Sequence, residues 1–249
     1  MSSEQKQIWD EKAKTFGRFK QNDSETLEIL NFFKESGVNF KNKSIIDIGC
    51  GNGRFALELA KDANSVLCLD ISQNMLDDLC LDSKRLNIKN ISIKCADFDE
   101  CHENLNSFDI AFAAMTPALN NEKNFLNALG LFKEYFCYVG WGRYRQDALT
   151  KEVLEAHGAN LLLPKGLPDA LKWLENAKIS PISYCYFKRN FTKMLSLNDA
   201  INRTKMQCKM SLIDVNDELC VKIISKYKNA DNMVEITHSR EIGAMVVAK

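Results

Sequence analysis

Residues 44–60 read SIIDIGCGNGRFALELA. A short apolar run closes on Asp47. Glycines then stand at alternate positions, Gly49, Gly51 and Gly53, with Cys50 inside the loop, and a stretch with helical apolar spacing follows. The β-branched residues before Asp47 favour a strand. Glycines let the backbone turn sharply and let a ligand approach the main chain, and the first turn of the following helix offers unbonded N–H groups. Strand, glycine turn and helix in this order open a β-α-β unit.

The same alternation continues on the C-terminal side of that loop. Strand candidates are SIIDIG from Ser44, SVLCLD from Ser65, ISIKCA from Ile91, FDIAFAAM from Phe108 and EYFCYVGW from Glu134. Amphipathic helical stretches lie between them, near 54–62, 73–86 and 121–131. Strands alternating with helices imply a parallel sheet with right-handed crossovers. The expected fold class is therefore α/β, a doubly wound and mostly parallel sheet, with a helical and β cap in the C-terminal part.

Toward the N-terminus two helices are expected. The first carries Trp9, Ala13 and Phe16 on one face, and the second is capped by Asn22 with Glu25 and stops at Gly37. Beyond Trp141 the rhythm changes. A helix from about Asp147 to His157 ends at Gly158, the turn LLLPKGLP follows, and Pro168 suits the first turn of another helix. Two further helices, near 197–210 and 216–227, flank the aromatic run SYCYFKRNF, and MVEITHSREIGAMVVAK reads as one or two strands returning to the sheet edge. Four segments result: N-terminal helices covering the site (1–42), the core (43–140), a cap or substrate region (141–230) and the returning strands (231–249).

With 249 residues, 45% hydrophobic and 27% charged, the chain is an ordinary globular one. Its formal net charge of zero provides no overall field toward nucleic acid or anionic lipid. The nine cysteines sit in apolar strand-like runs with no C-x-x-C pair and read as buried thiols; Cys95, Cys101 and His102 form the nearest metal-like cluster, and no metal is expected there. The start, MSSEQKQIWDEK, has neither a basic nor an apolar leader region, and no apolar run approaches the roughly 18 residues that span a bilayer. A cytoplasmic protein with no membrane partner is expected.

Two further acids sharpen the glycine signal. Asp70 ends the second strand, where a carboxylate faces a ribose lying across the strand ends, each such bond contributing roughly 1.5–3 kcal/mol. Asp97 follows the third strand, where it can accept from an adenine amino group while Ile71 and Phe98 pack on the ring. Helix capping is the structural alternative for both acids, and core packing for Met75 and Phe98.

These residues resemble the class I S-adenosylmethionine-dependent methyltransferases, whose first motif is an acid followed by G-x-G-x-G, here Asp47, Gly49, Gly51 and Gly53. The likeness covers 43–140 and fades beyond Trp141. It implies S-adenosylmethionine as cofactor, the glycine loop along its methionine and ribose part, Asp70 at the ribose and Asp97 at the adenine. It further implies Ala113 to Met115 bordering the methionine part, Met75 among the contacts, and Trp9 and Arg18 closing over the whole.

The implied reaction is methyl transfer to a small-molecule acceptor, anionic or planar, because YVGWGRYRQD gathers Tyr138, Trp141, Arg143, Tyr144 and Arg145. His157, Tyr144 and Arg143 are the catalytic candidates, though positioning alone supplies much of such a reaction and a dedicated base is not required. Met115, Thr116, Pro117 and Ala118 depart from the motif of enzymes that methylate base amino groups, and no Pro-Cys dipeptide supplies the nucleophile used at pyrimidine carbon five. Three alternatives stand beside this reading. One is an RNA methyltransferase using the basic, aromatic stretch from Lys178 to Met210. Another is a non-catalytic adenosyl-binding module. The third is an NAD-dependent oxidoreductase, whose G-x-G-x-x-G spacing the loop does not keep. Oligomeric state is left open.

Overall fold

The computed structural model describes residues 3–211 and 213–249. Seven strands form one sheet: β1 (Ser44–Ile48), β2 (Ser65–Asp70), β3 (Ile91–Cys95), β4 (Phe108–Ala114), β5 (Phe132–Asp147), β6 (Ser183–Ser196) and β7 (Met233–Ala248). Their spatial order is β3-β2-β1-β4-β5-β7-β6. Pairing from β3 through β5 is parallel, with Ile48 beside Leu69 on one side and Ala113 on the other. On β7 the numbering runs against β5: Lys249 bonds to Glu134 while Glu241 lies beside Gly142. The expected doubly wound, mostly parallel sheet is the observed fold, with one difference. The last segment does not return to the edge but inserts between β5 and β6.

Ten α-helices are present among the described residues: α1 (Ser3–Ala13), α2 (Ser24–Glu35), α3 (Ala56–Leu59), α4 (Gln73–Arg85), α5 (Phe98–Cys101), α6 (Glu122–Ala128), α7 (Ala148–Ala156), α8 (Leu167–Asn176), α9 (Leu197–Met210) and α10 (Asp217–Ile224). Several boundaries differ from expectation for local reasons. The chain leaves α1 at Ala13 in a turn, so Phe16 is off the helix and 39% exposed. Asn22 takes a left-handed backbone (φ 59), so Asp23 caps α2 instead by accepting from the Thr26 N–H at 3.0 Å. The helix after the glycine loop is short because Gly51 and Gly53 hold positive φ and the turn runs on through Phe55. Gly158 and Pro168 take the expected helix-end and first-turn positions, and Asp147, expected to begin the helix, caps it instead.

Two compact units emerge. The first comprises 1–140, 165–186 and 243–249, and the second 141–164 and 187–242. The first packs Ile46, Ile48, Phe98, Phe125, Phe136 and Tyr138 around the sheet, each such side chain contributing roughly 1.5–3 kcal/mol by leaving water. In the second, α7, α9 and α10 bury Val153, Ile201, Cys208, Cys220 and Ile224 against Val234 and Ile236 of β7. No helix of the described residues is long and apolar enough to cross a membrane.

Candidate functional site

The chain winds from β1 outward to β3, then reverses through β4 to β5, so the carboxyl ends of β1 and β4 flank the switch point where open α/β sheets bind ligands. The two loops that leave these ends meet. A Cβ on Gly49 (φ 68) would overlap the Thr116 hydroxyl, so glycine is what allows 49–53 to lie against 115–118. Gly53 (φ 86) is equally confined, by Leu79 and Leu57, and sets how closely α4 approaches the loop. Gly51, by contrast, has open space on its Cβ side.

Asp70 fixes the loop from the neighbouring strand. Its Oδ2 accepts from the Gly51 N–H at 2.8 Å and its Oδ1 from the Ser72 N–H at 2.9 Å. Helix α4 is capped by Ser72, so capping does not account for this acid. A carboxylate has about four acceptor positions; Gly51 and Ser72 take two, and the Ile71 N–H also faces the group, so capacity remains. Burial raises the Asp70 pKa, against the backbone N–H groups of Ser72, Gly51 and Ile71 that favour the charge, while Asp10 adds to the rise. Asp47 is 2% exposed, and burial together with Asp70 pushes it up to about 8. A buried carboxyl beside a half-buried one favours a cation as ligand.

The N-terminal segment joins this end of the sheet. Asp10 of α1 accepts from the Ser72 hydroxyl at 2.6 Å, and its carbonyl accepts from the Asn74 amide at 3.0 Å, which seats α1 and the half-buried Trp9 at the start of α4. The Asn52 amide, itself buried, donates to the Gly17 carbonyl at 2.7 Å. Sequence reasoning missed Asp10, Asn52, Ser72 and Thr116. Of these Ser72 was legible as a cap one residue before α4, whereas the others act through contacts distant in the chain.

Several anticipated contacts are otherwise engaged. Arg18 pairs with Asp78 and Asp82 on α4, so it clamps the N-terminal segment rather than closing over a ligand. Met75 and Phe98 are 1% and 3% exposed and belong to the core, so neither presents a face to an adenine. Asp97 caps α5 by accepting from the Asp99 N–H at 3.0 Å, and Ile71 and Met115 stay partly exposed beside the loops. Met115 holds φ 52, and its N–H is tied to the Val139 carbonyl at 2.7 Å.

Two catalytic candidates fail on geometry. His157 donates from Nδ1 to the Val153 carbonyl at 2.7 Å and accepts at Nε2 from the Asn216 N–H at 2.9 Å, so both ring nitrogens close the end of α7. Arg143 forms a two-pronged pair with Glu241, 2.7 Å on each arm, and its N–H reaches the same carboxylate at 3.0 Å. Tyr144 is half-buried, and Tyr138 lies in the first core, where burial raises its pKa. The ring of His102 faces the Phe98 and Asp99 carbonyls.

Residues 45–132 match the family model described as a methyltransferase domain, and the sheet around them has the Rossmann-like order. Phosphoethanolamine N-methyltransferase 1 of Triticum aestivum is 31% identical over 48% of this chain; the match spans a quarter of that relative's length. A putative methyltransferase from Bacillus halodurans superposes with a TM-score of 0.59 at 15% identity, covering 91% of this chain and 99% of that one. The magnesium protoporphyrin IX methyltransferase of Synechocystis, solved with bound S-adenosylhomocysteine, gives 0.52 at 14% identity over 96% and 92%. At such identities the structures speak to the fold, and the methyltransferase domain shares it with both.

Proposed function

We propose that this chain transfers the methyl group of S-adenosylmethionine to a small-molecule acceptor, with the glycine loop, Asp70 and the 115–117 turn holding the cofactor. One observation carries the reading: Asp70 is locked to the Gly51 and Ser72 N–H groups at the switch point and keeps acceptor capacity for ribose hydroxyls. The donor set fits the cofactor's charge as well, since Asp47 and Asp70 provide an acidic, low-dielectric floor beneath a ligand that carries a sulfonium and an ammonium group. When bound, S-adenosylmethionine supplies an electrophilic methyl group. The chain's part is to hold the cofactor in one pose, exclude water and orient the acceptor, and orientation alone contributes roughly 7–11 kcal/mol in favourable cases. With His157 and Arg143 engaged elsewhere, no dedicated base is assigned.

A small acceptor is favoured over RNA because the basic run of the second unit is partly neutralised: Arg203 pairs with Asp147 at 2.6 Å and Lys205 with Asp217 at 2.7 Å. Calorimetric titration with S-adenosylmethionine, S-adenosylhomocysteine and NAD tests the cofactor assignment. Micromolar binding of both adenosyl ligands without NAD is expected, and binding of NAD alone would overturn it. Methyl release to a metabolite panel, against a structured RNA panel, then separates the acceptor classes, and cofactor binding without turnover on either panel would favour a non-catalytic module.

A further inference from the structure

The second unit carries a cluster of rings and guanidinium groups that the cofactor reading leaves unused. On β5, Trp141 and Arg145 are four residues apart and so share one face of the sheet. His238 and Arg240 share a face of β7, and Phe187, Arg189 and Phe191 a face of β6. The three strands are neighbours, and the side chains meet across them. Arg145 lies 5.3 Å from the Trp141 ring, Arg240 5.6 Å from Trp141 and 5.3 Å from Phe191, and Phe191 4.7 Å from the His238 ring. Helices of this unit bury Val234 and Ile236 on β7, while His238 and Arg240, next along the same face, are only half-buried.

A guanidinium stacked on an aromatic face directs its N–H edge sideways, where it can grip an oxyanion with two parallel bonds. Arg145 has the further feature that its hydrogen-bonding partner is neutral, the Gln207 amide oxygen at 2.7 Å, because the nearby Asp147 is held by Arg203. The local field is positive. Burial first, then Arg203, with Arg240 and Arg145 adding and Asp147 opposing, lower the pKa of His238; burial also lowers that of Arg145, with Arg203 adding to the effect and Asp147 opposing it. Partly desolvated like charges of this kind are relieved by an anion.

We infer that the face formed by Trp141, Arg145, Phe191, His238 and Arg240 binds a small planar anion, a ring bearing a carboxylate or a phosphate. The ring would extend the stack begun by Trp141, and the acid group would meet the edges of Arg145 and Arg240. A small ligand is favoured over a polynucleotide because the cations that continue the basic run on α9, Arg203 and Lys205, are paired with acids and leave no long track.

Three tryptophans are present, at 9, 141 and 173, so replacing Trp9 and Trp173 with phenylalanine makes Trp141 the sole reporter in the full chain. Its emission is followed during titration with benzoate, phenyl phosphate and inorganic phosphate at fixed ionic strength. Saturable quenching by benzoate or phenyl phosphate is expected, and which of the two binds more tightly identifies the acid group. Arg145→Gln and Arg240→Gln should each weaken binding by about tenfold to a hundredfold, and the exposed Lys193→Gln should leave it unchanged. Arg240→Lys keeps the charge while losing the flat fork, and an intermediate loss is expected even if Arg240→Gln folds poorly. No saturable response to any probe, equal affinity in the arginine variants, or tighter binding of a short RNA with steep salt dependence would each overturn the assignment. Because every residue of this face belongs to the second unit, S-adenosylmethionine calorimetry on the arginine variants made in the chain that keeps Trp9 separates failure here from failure of the cofactor reading.

Discussion

Replacing Asp47 with asparagine isolates the electrostatic cost built into the first unit. The native carboxyl titrates at about 8, because burial removes water from it and Asp70 opposes its charge, whereas in the unfolded chain it titrates near 4. Between those values the native state holds a proton that the unfolded state has released. Stability therefore falls as pH rises across this window, by about 1.4 kcal/mol per pH unit, and levels off above pH 8. From pH 6 to pH 8 the loss amounts to roughly 2 kcal/mol, a substantial part of the 5–15 kcal/mol typical of a folded domain. The asparagine side chain cannot titrate and also relieves Asp70, so the Asp47→Asn variant should be less sensitive to pH over the same interval. Urea unfolding of the Trp141→Phe protein, in which Trp9 and Trp173 both report the first unit, measures the difference at pH 6, 7 and 8. Parallel stability profiles with and without Asp47→Asn in that background would refute the assignment of a buried proton. The same proton links to the cofactor. A cationic ligand favours the ionised acid, so affinity for S-adenosylmethionine should rise with pH toward 8 and rise less for the thioether S-adenosylhomocysteine.

Other substitutions test separate joints of the structure. Gly49→Ala places a methyl group on the Thr116 side chain at a backbone angle of φ 68, and should abolish cofactor binding in calorimetry; pairing it with Thr116→Gly relieves the overlap but not the strain, so partial recovery is expected. Since both nitrogens of His157 close the end of α7, His157→Gln should lower thermal stability by about 1 kcal/mol while leaving the pH–rate profile intact, and loss of one limb of that profile would restore it as a base. Arg143→Gln removes the fork paired with the buried Glu241 but leaves Lys188 and the residue-143 N–H beside it, and since Arg143 itself is 62% exposed the cost in denaturant unfolding should be about 1–3 kcal/mol. Arg143 holds the Glu241 pKa below the usual range, so this contribution is present above about pH 4.5 and is lost as pH falls through the native value.

What the sequence made legible follows from the range of the interactions involved. The alternation of strands and helices, the glycine loop and the helix end at Gly158 depend on neighbours within a few residues, and their chemistry is written locally. Asp70 was legible because its spacing from the glycines is set by one β-α-β unit. Arg143 was misread because its partner, Glu241, stands 98 positions away, and nothing in GWGRYRQ shows that the guanidinium is committed. Arg18 was misread in the same way, its partners lying 60 and 64 positions along the chain. Asn22 and Phe16 were local errors: a left-handed residue and an early turn displaced a cap and a helical face.

Charge placement at the loop separates this site from one made for pyrophosphate. A phosphate-binding turn uses backbone N–H groups and a helix N-terminus, which attract negative charge. Here the N–H of Gly51 is already taken by Asp70, and Asp47 lies buried directly before the glycines, while Asp10 adds a third carboxylate through Ser72. Ionised members of this cluster would repel an anionic ligand in a low-dielectric setting and attract a sulfonium, and Asp47 joins them as pH rises toward 8. The glycines give the backbone its close approach, and the acids decide which charge can use it. On that basis the third glycine being one residue early is a secondary mark against a dinucleotide, and the buried acid at position 47 the stronger one.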